Sequence, residues 1–234
     1  MGKLISLLTL TLMLVSCNNN PVDCAQSETK NASDSSSCTT TPEPGPIEPG
    51  ETPVTDSGEV PSEALLFNAN SGLTGFNPSQ EEKVLKAIEY IKKIVRSKKF
   101  KDRVYNFTYN GQKKFVDNKG LTNEQIYQIV INGAETLIPE IDYEMDLDLE
   151  LYTSNFTSTV GYTYPNVTKI WMNTKYFNSY TPAQVAGNVF HEWTHKLGFD
   201  HASSYSKSRD YSVPYGLGYM MVDLINEDIA ANGE

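Results

Sequence analysis

The eleven residues His191-Glu192-Trp193-Thr194-His195-Lys196-Leu197-Gly198-Phe199-Asp200-His201 hold all three histidines of the chain. Neutral imidazole is a common ligand of zinc and of related transition metals. His191 and His195 are four residues apart, and on a helix four steps of about 100° return one side chain to within about 40° of the other, one turn away. His201 cannot join them on a continuing helix, because six more residues rotate it about 240° and carry it roughly 9 Å along the axis. The chain must therefore turn back, and Gly198 stands where a left-handed residue ends a helix. Three imidazoles leave zinc an open fourth position for water, whose pKa falls to about 7. Glu192 lies about 100° round from His191, beside the ion rather than among its ligands. A carboxylate there takes a proton from the water as it attacks a carbonyl and passes it to the leaving nitrogen, which is the chemistry of peptide-bond hydrolysis.

With Gly198 and His201 in these positions the stretch reads HExxHxxGxxH and resembles the metzincin metallopeptidases. The resemblance implies an α+β fold with a twisted mixed β-sheet, a zinc-binding active-site helix and a small C-terminal helical subdomain. It also implies His191, His195 and His201 as zinc ligands, Glu192 as general base and acid, and a sheet-edge strand that binds substrate backbone in extended form. "STVGYTY" (158–164) or "TKIWMN" (168–173) stands in the right place to be that edge. Metzincins carry a methionine turn beneath the zinc, and here Ser212-Val213-Pro214-Tyr215 has Pro214 where that methionine is expected. Met220 and Met221 fall inside the following helix. Either one of them supplies the floor or the floor lacks sulfur, and the second reading is preferred because both suit a core. Tyr215 resembles the tyrosine that some metzincins use as an extra zinc ligand or oxyanion donor; a packed tyrosine is the plain alternative. Other HExxH peptidases take a later glutamate as third ligand, for which Glu227 is available, but His201 at its spacing after Gly198 explains the motif better.

The elements that must position this stretch are marked by their caps. Asn77, Pro78 and Gln80 open a helix whose apolar stripe is Val84, Leu85, Ile88, Ile91, Ile94 and Val95, and the basic run "SKKFKDR" suits its C-terminus better than it suits a patch for anionic lipid or polymer. "RVYNFTY" and "KKFVDNKG" suggest a short strand and turn. Thr122 and Gln125 cap a second helix that Gly133 ends. From Ile141 to Tyr152, apolar and acidic residues alternate, which is the period of a strand with one wet face. Its carboxylates would splay along the strand rather than converge on calcium. "STVGYTY" and "TKIWMNTKYF" are β-rich runs joined by Pro165-Asn166. Thr181, Pro182 and Gln184 then open the helix that carries the histidines.

The rest of the chain concerns address rather than chemistry. Lys3, an apolar stretch from Leu4 to Val15 and Leu14-Val15-Ser16-Cys17 resemble the signal peptide and lipobox of bacterial lipoproteins, with residues 1–16 removed and Cys17 lipidated. Plain secretion, and myristoylation from Met1-Gly2 with Ser6, are the weaker readings. Residues 17–62 form a Ser/Thr/Pro/Glu-rich tether with almost nothing to bury. Residues 18–62 hold eight acids against one lysine, which is seven of the chain's ten net negative charges. The net charge of −10 argues against a nucleic-acid partner. Cys24 and Cys38 form a disulfide or stay idle thiols in preference to a thiolate that blocks the zinc of a latent enzyme. The resemblance then makes residues 63–234 the expected zinc metallopeptidase domain.

The expectation is a monomeric zinc peptidase acting on peptide or protein. It is held to the membrane through Cys17 at the bacterial cell envelope, with the outer membrane favoured because Asn18 is no inner-membrane retention signal. A surface-binding lipoprotein that keeps zinc without catalysis, and a zinc amidase acting on cell-wall peptide, are the alternatives. Glu192 argues against the first, since a structural site needs no base there.

Overall fold

Five of the helices begin where a side chain can take up an orphan amide, and in three of those the reciprocal capping box is complete. In the computed structural model, which describes residues 72–154 and 156–232, Asn77 caps α1 (Pro78–Val95), Ser97 caps α2 (Lys98–Tyr105), Thr122 caps α3 (Asn123–Asn132) and Thr181 caps α5 (Pro182–Lys196). Asn173 caps the short α4 (Thr174–Ser179), and α6 (Val213–Asn232) closes the described chain. Among the described residues these six helices accompany one four-stranded sheet of β1 (Leu73–Thr74), β2 (Asp148–Tyr152), β3 (Gly161–Thr163) and β4 (Lys169–Asn173). The order is β1-β2-β4-β3, parallel except for β3, which runs antiparallel to β4 at the edge. This is a mixed α/β arrangement of the α+β kind, and none of the described helices is long and apolar enough to cross a membrane. The leader, Cys17, Cys24, Cys38 and the tether lie outside the described residues.

Several expectations are corrected. The basic run does not close α1: Ser97 turns the chain and starts α2, and Lys99 and Arg103 pair with Glu227 of α6. Leu85, placed in the α1 stripe by its spacing, is 49% exposed. "RVYNFTY" and "KKFVDNKG" make no strand. Arg103–Tyr105 finish α2, and Phe107 and Phe115 stack on each other at 3.9 Å instead of alternating across a sheet. The alternating run forms a strand only from Asp148, because Tyr143 has φ 60° and donates its amide to Asn132 O over the end of α3, while Ile141 is 58% exposed. Met145 and Leu147 are buried all the same, so the alternation holds from Met145 onward, though among the described residues pairing begins only at Asp148. "TKYF" is helical because Asn173 ends β4 and caps α4 in one residue.

The sheet turns Leu149, Ile170 and Met172 into the core shared with Ile88, Ile91, Val189 and Trp193. Each large apolar side chain removed from water there contributes roughly 1.5–3 kcal/mol. α5 and α6 meet backbone to backbone. A Cβ at Gly187 would stand 2.4 Å from Val222 Cγ2 and 2.8 Å from Gly218 O, and one at Gly218 would stand 3.0 Å from Gly187 O and 3.2 Å from His191 Cβ. This contact brings the first turn of α6 against the histidine face of α5. Gly187→Ala is expected to force the helices apart and destabilise the fold by about 1–3 kcal/mol. Urea denaturation of the substituted chain measures it, and an unchanged midpoint would refute the close packing.

Candidate metal centre

α5 carries His191 and His195 on one face, as their spacing requires. The helix ends at Lys196, Gly198 takes φ 88°, and the Phe199 amide bonds back to Thr194 O at 3.1 Å. Phe199 is buried and anchors the return. His201 thereby comes back to the helix, with its ring 5.2 Å from that of His191 and 5.0 Å from that of His195. One nitrogen from each of the three lies within 4.8 Å of the others, close enough to hold a metal ion.

The rings are held by backbone. His195 Nδ1 faces Phe199 O at 2.7 Å, His201 Nδ1 faces Ala202 O at 3.0 Å, and the backbone carbonyl of Pro214 accepts from the His191 ring. A ring that donates Nδ1–H to a carbonyl presents an Nε2 lone pair, the arrangement usual for ligating histidine. His201 Nε2 and His191 Nε2 are 3.3 Å apart. Two such lone pairs facing each other call for a cation or a shared proton between them. Burial favours the former by resisting protonation: it lowers the pKa of all three rings, His191 most strongly and His195 to about 4, and each ring opposes charge on the next. The donor set fits a divalent ion.

Glu192 follows His191 on α5 and is buried. Desolvation raises its pKa to about 8 against the pull of Lys196. Its Oε1 lies under Gly161 of β3, where a Cβ would approach it to 3.0 Å and Asn188 Oδ1 to 2.9 Å. β3 and its approach from Ser158, α5, and the start of α6 line a cleft of about 1040 Å³ that contains the three histidines, Glu192 and Tyr215. Of the two strands proposed for the edge, "STVGYTY" supplies it as β3, and β4 is interior. Tyr215 stands against the centre, its ring 4.5 Å from that of His191 and 4.7 Å from that of His201, and burial raises its pKa so that it stays a donor. The turn expected at Ser212–Tyr215 is instead the entry to α6, which begins at Val213. Met220 and Met221 are buried in the core. Glu227 is engaged with Lys99 and Arg103 and takes no place in the histidine cluster. Nor do the carboxylates of 142–150, among the described residues.

Three supporting residues escaped the reading of the sequence. Lys196 is buried, and its ammonium is held by the carbonyls of Tyr164, Val167 and Lys169, pinning the β3–β4 turn to the helix that bears the histidines. Gly161 had a signal, since a glycine within a strand marks close approach by something else. Glu135 had none. It is buried, takes Trp193 Nε1–H at 2.6 Å and the Asp146 amide at 3.1 Å on one oxygen, and leaves Oε2 without a partner. The chain matches no family model and no curated protein.

Two outcomes follow from this geometry. Metal analysis of the purified chain should find one divalent ion, lost or weakened at least about tenfold in His201→Ala and retained in Glu227→Ala; equal loss in both would break the assignment. Burial raises the Glu135 pKa from 4.5 to about 7, so the folded chain keeps a proton that the unfolded chain has released. The stability this gives is complete below pH 4.5, declines as pH rises to about 7, and is absent above it. Glu135→Gln should remove that slope. Unfolding free energies of both chains at pH 5 and pH 8, in chelator, should differ in slope by about 1–3 kcal/mol. Parallel profiles would mean that Glu135 is ionised in the fold.

Proposed function

We propose that this chain is a zinc metallopeptidase of metzincin type that cleaves peptide bonds in the cleft between β3 and α5. The observation that carries the proposal is Glu192, a buried carboxylate next to His191 in sequence and opening on the same cleft as the three imidazoles. A site that only holds metal has no use for an acid whose burial raises its pKa to about 8.

His191, His195 and His201 would hold zinc, which suits a set of three neutral nitrogens with room for a further ligand. When bound, the ion supplies Lewis acidity toward a carbonyl oxygen and acidifies water. The protein does the remainder. β3 offers an unpaired edge along which a substrate in extended form adds as a further strand, its carbonyl directed toward the histidines. Glu192 loses its own proton more readily once positive charge lies beside it, then accepts one at its carboxylate from water and delivers it to the leaving nitrogen. Gly161 permits this by leaving the strand without a side chain above Glu192 Oε1. Tyr215, kept protonated by burial, is suited to donate to the oxyanion that develops. The sequence-derived leader and tether would set this domain out from the envelope membrane.

Glu192→Gln should lower hydrolysis of casein or a quenched peptide by about 100-fold or more while zinc stoichiometry stays at the wild-type value. Activity that survives the substitution, or a wild-type chain that cleaves no peptide with zinc bound, would end the proposal.

A further inference from the structure

The cleft has a charge distribution that the hydrolytic chemistry does not use. Arg209, on the 3-10 turn Arg209–Tyr211, is its only cationic lining residue among those described. The guanidinium lies 4.8 Å from the centroid of the Tyr215 ring and 5.4 Å from that of Tyr205. Tyr215 in turn touches the rings of His191 and His201. Arg209 is therefore one aromatic ring away from the metal ligands, a span that one or two residues of extended chain cover at about 3.3–3.6 Å each.

The hydrogen bonding of Arg209 is incomplete. Nη1 donates to Ser203 O at 3.3 Å, Nε is buried without an acceptor, and no described carboxylate pairs with the group. The acids in the same cleft are directed elsewhere. Asp200 lies 3.8 Å from His195 Nδ1 and 3.7 Å from Lys119 Nζ. Asp223 is exposed, eight residues along α6 from Tyr215 and so about 12 Å down the axis. A planar cation fixed by two rings and short of acceptors is the standard receptor for a carboxylate, which it can take on two nitrogens at once.

We propose that Arg209 selects substrates with a carboxylate within two residues of the bond to be cleaved, either an acidic side chain or a free C-terminus. The proposal rests on the peptidase reading for its substrate, but its test need not. Fluorescent peptides are titrated by polarisation into the zinc-supplemented full chain carrying Glu192→Gln. One pair is blocked at both ends and differs as Glu against Gln beside the central bond, and a second pair differs as free C-terminal acid against amide. At least one acidic member should bind about fivefold or more tightly than its neutral partner, with the advantage shrinking as salt rises. Preference confined to the second pair assigns Arg209 to C-terminal recognition, and preference in the first assigns it to an acidic side chain. In chains that also carry Arg209→Gln the ratio should fall to about one, and Arg209→Lys should retain part of it. The ratio is independent of how much of a variant folds, and a merely structural Arg209 would weaken both members of a pair equally. No preference in either pair, or a preference that survives Arg209→Gln, overturns the proposal. Carboxylate preference in a protein whose unsubstituted form cleaves nothing would overturn the peptidase reading alone.

Discussion

A single α-helix can direct two side chains at one ion but not a third ten residues on, and that limit organises this molecule. The helix has to stop, reverse and return a side chain to its own surface within six residues. Gly198 permits the reversal by adopting a backbone conformation that strains any other residue. Phe199 holds it. Its side chain is buried in the core, and its carbonyl fixes the ring of His195. One residue thus ties the position of the loop to the orientation of a ligand, and the hydrophobic effect supplies the force that aims an imidazole.

The surroundings continue the same logic. Pro214, at the mouth of α6, offers its carbonyl to the ring of His191, and α6 can come that near only because Gly187 and Gly218 leave no side chains between the two helices. On the opposite wall Lys196 gathers three carbonyls of the β3–β4 turn and secures the sheet edge to the helix that bears Glu192. Polar groups with partners and glycines without side chains do the positioning, while Trp193 and Phe190 fill the space behind. The desolvation that raises Glu192 and lowers the histidines comes from this packing.

The sequence was most legible where the physics is local. The caps at Asn77, Thr122 and Thr181, the stop at Gly133, the helix carrying His191 and His195, and the turn at Gly198 each depend on a few adjacent residues and appear where their spacing puts them. The run from Ile141 to Leu147 was misread because alternation says nothing of whether a neighbouring strand is there to pair, and its first residues, with Ile141 and Tyr143 exposed, fold over the end of α3 instead. The segment around Phe107 and Phe115 was misread because two rings eight positions apart stack on each other rather than alternating across a sheet. Lys196, Glu135 and Arg209 were invisible as supporting residues, since the side chains and carbonyls they hold lie across the fold or on a loop whose path no periodicity records.

The order of the sheet has a consequence for the entropy of the chain. The return of His201 to His191 closes ten residues, whereas Leu73 finds Leu149 only across seventy-six. Closure entropy grows with the logarithm of loop length, so the second closure is opposed by about 1.8 kcal/mol more than the first. The disorder of the unfolded chain therefore opposes assembly of the centre less than it opposes pairing of the strand farthest across the sheet from it.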